Sequence, residues 1–308
     1  MLLPDDIRDM FGAAMAPENT SESRDWRPLA AALVSICLWS SAYVGIRAAT
    51  RTIAPGALAL GRLTIGSVLL GALLARRGAV RPTRRELGLL CLAGFLWFGL
   101  YNVALNTAER AVDAGTAAMV VNIAPLMIMA LAALFLKERL TPGLLIGGAV
   151  AFGGVICIGL ATRSGNAPWW GVLLCVVATM ASAGGVVAQK PVLARISALQ
   201  VTWTCCAIGA ICCLPYLPIL LHDIRSAAPG DLASMVYLGL FPTSVAFTTW
   251  AYALARGTAS RLAALAYLVP PMTIGMSWLI LGEVPNLVAV AGGALCLAGV
   301  LFARRGPK

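Results

Sequence analysis

"NIAPLMIMALAALFLKERLTPGLLIGGAVAFGGV", residues 122–155, sets a proline, eleven apolar residues and the triplet Lys137-Glu138-Arg139 ahead of a glycine-rich apolar run. The chain writes the same order again at 267–300, "YLVPPMTIGMSWLILGEVPNLVAVAGGALCLAGV". There Pro270 stands thirteen residues before Glu283, the interval that separates Pro125 from Glu138. Superposed with an offset of 145, the two stretches run for 31 positions from their prolines without a gap, and ten positions are identical. The identities include the proline, the glutamate and the pair Gly147-Gly148, which an apolar composition alone does not account for. A weaker echo links "LWSSAYVGIRA" (38–48) with "MASAGGVVAQK" (180–190).

What surrounds the repeat is apolar throughout. The 308 residues are 60% hydrophobic and 12% charged, with a mean hydropathy of +0.86. Soluble domains are about half apolar and about a quarter charged, so this composition belongs in a bilayer. Ten apolar runs, near 28–48, 54–75, 87–107, 113–135, 142–162, 168–189, 199–221, 232–252, 260–281 and 285–303, are each long enough to cross ~30 Å of hydrocarbon. None alternates with period two, so they read as helices and not as barrel strands. The expectation is an all-α integral membrane fold: a polar tail (1–27), a first five-helix repeat (28–162) and a second (168–305). The tail carries six acids and three arginines and lacks the basic-then-apolar order of a secretory signal. Five helices per repeat is an odd number, so the second repeat must enter the membrane inverted. Inverted repeats place substrate sites near the axis that relates them.

The net charge of +10 follows the membrane rather than nucleic acid. With the N-terminus inside, cytoplasmic segments hold 17 Lys and Arg, five of them at Arg76, Arg77, Arg81, Arg84 and Arg85. The other side holds five: Arg47, Arg51, Arg110, Arg163 and Arg225. That asymmetry places both termini in the cytoplasm. All nine cysteines fall inside expected spans, which argues against an extracytoplasmic disulfide framework. The pairs Cys205-Cys206 and Cys212-Cys213 have no histidine or acid at the same depth, so they read as small packing residues and not as a metal site. Neither metal nor cofactor is expected.

The segments "LWSSAYVGIR", "P…LFLKERLTPGLLIGGAVAFGGV" and "P…LILGEVPNLVAVAGGALCLAGV" together resemble the drug/metabolite transporter superfamily, specifically its ten-helix EamA-type members. The resemblance covers the chain from about residue 28. It implies an inner-membrane carrier, commonly an exporter of amino acids (aromatic ones included) or other small metabolites, with a central cavity between the halves. One departure is visible: Gly282-Glu283-Val284-Pro285 lacks the basic neighbours of Lys137-Glu138-Arg139, as expected of a segment facing away from the cytoplasm.

Candidate substrate-binding residues are those too deep to be interfacial. Trp39, Ser40, Tyr43, Trp97, Tyr101, Asn102, Asn122, Ser182, Ser244, Phe247 and Tyr267 fall within helices one, three, four, six, eight and nine. Taken singly, each suits helix packing or an interhelical hydrogen bond. As a set they suit a small amphipathic solute. Asn122 and Tyr267, each three residues before its proline, form the favoured pair. Arg62 is the one cation inside a span. It either snorkels to the interface or faces the cavity and holds a substrate carboxylate. Pro125, Pro242, Pro270 and Pro271 sit near mid-helix, where a missing amide shapes a fixed kink or a gate. Glu138 and Glu283 are expected at helix ends, accepting from amides at the start of the following helix. Ala149/Gly153 and Ala294/Ala298, spaced by four, are expected to bring helices five and ten close.

The expected function is secondary transport: export of a small neutral or zwitterionic metabolite, amino acids first, by alternating access. The chain is expected to work as a monomer or homodimer in the lipid bilayer, with a small-molecule substrate and no nucleic-acid partner. The alternatives are a multidrug or other metabolite exporter of the same fold, a channel, or a membrane enzyme. An enzyme would need a buried nucleophile–base or metal constellation. The lone histidine, His222, lies at a helix end, and no carboxylate is expected at mid-membrane.

Overall fold

The computed structural model describes residues 26–111, 120–162, 168–281 and 287–305, and Glu283 and Asp113 lie outside them. The described residues are helical, with no strands among them. In chain order they form α1 (Arg27–Ala49), α2 (Pro55–Arg77), α3 (Arg84–Ala111), α4 (Ala124–Phe135) and α5 (Pro142–Thr162). The second half follows with α6 (Trp169–Gln189), α7 (Ala198–Cys212), α8 (Pro229–Arg256), α9 (Ala259–Leu281) and α10 (Leu287–Arg305). A 53° bend after α7 leads into Leu217–Ser226. Among the described residues, four helices, or five if that bent pair counts as one span, are long and apolar enough to cross a membrane. Large apolar side chains stand outward, among them Leu134, Phe135, Trp169, Leu279 and Leu287. A continuous apolar exterior of this kind suits lipid.

Local signals set the helix ends. Pro55 opens α2 after an extended Ala54, and Gly78, at φ 78°, closes it. Thr83 and Glu86 form a capping box at the start of α3. At the end of α4 the Glu138 amide reaches back to Ala132 O at 3.2 Å across Lys137, whose φ is 55°. This is a C-terminal turn closed through a left-handed residue, with lysine where glycine is usual. Its effect is to throw Glu138 away from α4.

The offset of 145 read from the sequence recurs in three dimensions. It carries the bounds of α3, residues 84 and 111, onto those of α8, residues 229 and 256. Each of these helices holds one π-helical segment, Gly94–Leu100 and Gly239–Val245, again 145 apart. The α5–α10 crossing fixes the relation between the halves. A Cβ added at Gly147 would meet Gly299 O, and one added at Gly154 would meet Gly292 O at 2.5 Å. Rising numbers on α5 meet falling numbers on α10, so these equivalent helices are antiparallel. Swapping each residue for its equivalent also returns the same two pairs. The repeats are therefore inverted about a pseudo-twofold axis near Ala151 and Cys296, whose thiol donates to Ala151 O at 3.3 Å. The glycines in contact are not those at the four-residue spacing first expected. Gly153 has open space around it, and the stripe is Gly147–Ala151–Gly154 against Gly292–Cys296–Gly299.

Elsewhere the halves interlace. Helix α1 packs on α8 and α9 of the second repeat, and α6 packs on α3 and α4 of the first. Helices α2 and α7 cross each other, and each lies against the π-segment of the opposite half.

Candidate functional site

Both mid-helix prolines interrupt their helices. Pro125 has no amide for the carbonyl of Val121, and the helix breaks into a turn at Asn122–Ile123 before α4 starts. Ile123 N–H falls back on Val120 O at 3.2 Å, a carbonyl that also accepts from Thr179 Oγ1 at 3.0 Å. In α9, Pro270 and Pro271 remove two successive donors, and Ala266–Leu268 tightens into a three-ten turn. Sequence reasoning placed these prolines near mid-helix, at a fixed kink or a gate. The structure gives interruptions instead, at equivalent places in the two repeats.

Between the breaks lies a cavity of about 120 Å³. It gathers Trp39, Tyr43, Arg62, Trp97, Tyr101, Asn102, Asn122, Pro125, Ser182 and Phe247 from five helices and the middle of α2. Arg62 does not snorkel. It is buried, lines the cavity, and donates from Nε to Thr243 Oγ1 at 2.9 Å. No carboxylate among the described residues lies within salt-bridge distance of it. Asn102 donates from Nδ2 to Phe98 O at 2.8 Å and Trp97 O at 3.3 Å, holding the π-segment of α3 and leaving its amide oxygen as the remaining acceptor. Ser182 donates to Thr179 O at 2.9 Å.

Three expected residues stand apart from this lining. Ser40 is fully buried, donating to Ile36 O at 2.8 Å and Val269 O at 3.3 Å, which ties α1 to α9. Ser244 donates to Gly239 O at 2.8 Å inside the π-segment of α8. Tyr267 is fully buried beside Phe152 of α5, at 6.4 Å between ring centroids. Asn122 and Tyr267 thus share a backbone setting while only Asn122 meets the cavity. Of the other prolines, Pro242 lies within a π-segment, and Pro270 and Pro271 lie just past the second break.

Aromatic rings close one end of the cavity. Trp39 sits 4.9 Å from Trp250, 5.4 Å from Phe247 and 5.9 Å from Trp97. Phe247 lies 4.8 Å from Trp97 and 4.4 Å from Phe98. These are ordinary edge and tilted separations for interlocked rings. Beyond them, toward the face where α1 begins, opens a second cavity of about 740 Å³ bordered by Trp26, Lys190, Arg256 and Arg261. Trp250 lines the first cavity and Ala253, one turn on, lines the second, so the aromatic cluster is the partition between them. Trp250 and Thr243 were not foreseen. The three-residue spacing of Phe247 and Trp250 marked a shared helix face, but nothing in the sequence paired Thr243 with Arg62.

Acids at the helix ends join the halves. Glu138 accepts from Ala259 N at 2.8 Å, Ser260 N at 3.0 Å and Ser260 Oγ at 2.7 Å. It therefore caps α9 of the other repeat and not α5, the following helix, because the Lys137 turn points it there. Asp231 accepts from Thr52 Oγ1 at 2.7 Å, and Asp223 from Ala54 N at 2.8 Å, both across the repeats. Glu86, equivalent to Asp231, accepts from Arg195 Nε at 2.8 Å in the α6–α7 turn. Each acid at the start of the third helix of its repeat thus grips the first turn of the other repeat, one pair on each face. Glu109 lies in the last turn of α3, which runs to Ala111.

An apolar-surfaced helical bundle with two inverted repeats and a small polar and aromatic cavity at their junction has the architecture of a membrane carrier. The model of the EamA-like transporter family matches residues 26–160 and 169–305, and the chain belongs to that family. It is a multi-pass membrane transporter, not an enzyme, and its substrate is a small molecule. A Streptantibioticus cattleyicolor protein named a probable terminal-alkyne amino-acid exporter is 38% identical over 89% of this chain and 92% of its own. The Bacillus subtilis transporter YdfC is 32% identical over 87% of each. The Escherichia coli inner membrane transporter YhbE is 25% identical over 90% and 91%. A solved structure at 22% identity aligns with TM-score 0.76, covering 90% of this chain and 98% of its own, and shows the shared fold.

Proposed function

We propose that the chain exports small neutral, zwitterionic amino acids across the inner membrane by alternating access, with both termini in the cytoplasm. The observation that carries this reading is the buried Arg62, with no carboxylate at salt-bridge distance among the described residues, in the wall of a small aromatic cavity between the repeats. A guanidinium already oriented by Thr243 presents its remaining donors to a carboxylate, the group it pairs with most strongly. The rings supply apolar area for a side chain. The printed name of the Streptantibioticus relative supports amino acids as cargo, and that of YhbE supports the inner membrane. The loop-charge asymmetry supports the orientation.

Size refines the class. Drug-sized ligand pockets span about 300–1,000 Å³. A cavity of about 120 Å³ holds roughly four waters at ~30 Å³ each. Compact amino acids suit the closed shape, and aromatic ones require the halves to part. In the transport cycle the repeats, 28–162 and 168–305, rock about the pseudo-twofold axis. The aromatic partition opens toward the larger cavity as the Glu138–α9 contact releases, while the Thr52–Asp231 and Ala54–Asp223 contacts hold the opposite face.

The test is an uptake panel in proteoliposomes with and without a pH gradient. It offers small neutral amino acids, aromatic amino acids and hydrophobic cations to the same preparation. Saturable flux of the small amino acids is expected. Extrusion of hydrophobic cations with no amino-acid flux would instead establish the multidrug alternative.

A further inference from the structure

A zwitterion brings an ammonium group as well as a carboxylate, yet none of the residues lining the cavity is acidic. The two helix breaks supply a negative pole at the cavity wall itself. Val121 and Ala266 both line the cavity, and each stands four residues before a proline, Pro125 or Pro270. Each carbonyl has therefore lost the amide that would close its α-helical bond. Ala266 O takes a three-ten bond from Val269 N, which leaves it a second lone pair. Behind it, Pro271 removes the next donor in turn. Asn102, with its amide nitrogen engaged by Phe98 O and Trp97 O, offers its oxygen on the same wall.

We propose that the main-chain carbonyls of Val121 and Ala266, each deprived of its α-helical donor at a proline break, form a site for a primary ammonium opposite Arg62, with Asn102 Oδ1 as a third acceptor. The site takes an α-amino acid through its amine as well as its carboxylate, and takes a simple primary amine more weakly. This rests on reading the cavity as an amino-acid site and deepens it. Carbonyls freed at broken helices compensate a cation in a low-dielectric interior without the desolvation cost of a buried carboxylate. The repeat explains why there are two of them: equivalent prolines at an offset of 145 bring one break from each half to a single cavity.

The test uses the full chain in detergent, following thermal stabilisation by three probes: 2-aminobutyrate, butyrate, which lacks the amine, and propylamine, which lacks the carboxylate. In the wild type, 2-aminobutyrate is expected to bind about tenfold more tightly than butyrate, the size of about one net hydrogen bond to a charged group. Pro125→Ala and Pro270→Ala each return an amide to the freed carbonyl. Each is expected to lower that preference to about threefold or less, read as the ratio of the two affinities in the same variant. Wild-type protein that binds butyrate as tightly as 2-aminobutyrate overturns the proposal, with no variant needed. So does an unchanged preference in both proline variants, or the lack of any saturable shift with 2-aminobutyrate. An amine preference that depends on the prolines, in protein that shows no amino-acid flux in liposomes, leaves the ammonium site standing and removes the export reading.

Discussion

Arg62 and Lys137 show how far single residues could be read. The depth of Arg62 was legible, and so was its choice between interface and cavity. Its partner was not, because Thr243 lies 181 residues away and one hydroxyl among many carries no mark. Arg62→Gln is expected to slow transport of carboxylate-bearing substrates by about ten- to a hundredfold, the loss of a charge-assisted pair, with propylamine binding retained. Parallel flux and binding assays on folded variant protein check this. Lys137 sits in the left-handed region at φ 55°, where a side chain costs about 1–2 kcal/mol. The second repeat writes Gly282 at the equivalent position. Lys137→Gly is accordingly expected to stabilise the protein by up to about 1 kcal/mol, read as a raised melting temperature. The Asn122–Tyr267 pairing shows the limit of symmetry in sequence. Both residues occupy a break, but asparagine fits the cavity wall while the larger tyrosine ring packs against Phe152.

Among the elements, the prolines and the offset of 145 were readable because they are residue identities. The π-segments were not, since they are a register of backbone bonds that no residue type announces. Proline does not mark them, because Pro242 stands in one and Trp97 at the equivalent place in the other. What they share is an opening glycine pressed against a neighbour: Gly94 on Cys205 O of α7, Gly239 on Arg62 O of α2. The glycine-rich character of α5 and α10 was also plain, but which glycines touch depended on the crossing point. Gly154→Ala is expected to destabilise by about 1–3 kcal/mol, as its methyl would stand 2.5 Å from Gly292 O. Gly153→Ala, with open space around it, is expected to leave the melting temperature unchanged or slightly raised. Equal effects from the two would place the α5–α10 contact elsewhere.

For the whole molecule, the odd helix count of the repeat already required inversion, and the α5–α10 glycine pairs display it. How the halves hold each other was hidden, because the gripping acids find their partners only across the pseudo-twofold axis. Glu138 is the clearest case. Glu138→Ala is expected to cost about 1–2 kcal/mol through the lost cap on α9. It is also expected to speed amide exchange over Ala259–Leu262, which hydrogen-exchange mass spectrometry would resolve. A cap on α5 would instead change exchange at Gly143–Leu145. The halves are expected to carry a bound amino acid alternately to the two faces, which counterflow can detect. Liposomes preloaded with unlabelled 2-aminobutyrate are predicted to accumulate the labelled compound transiently above its outside concentration, an overshoot that Arg62→Gln abolishes. Flux that rises linearly with concentration and shows no overshoot would contradict the account.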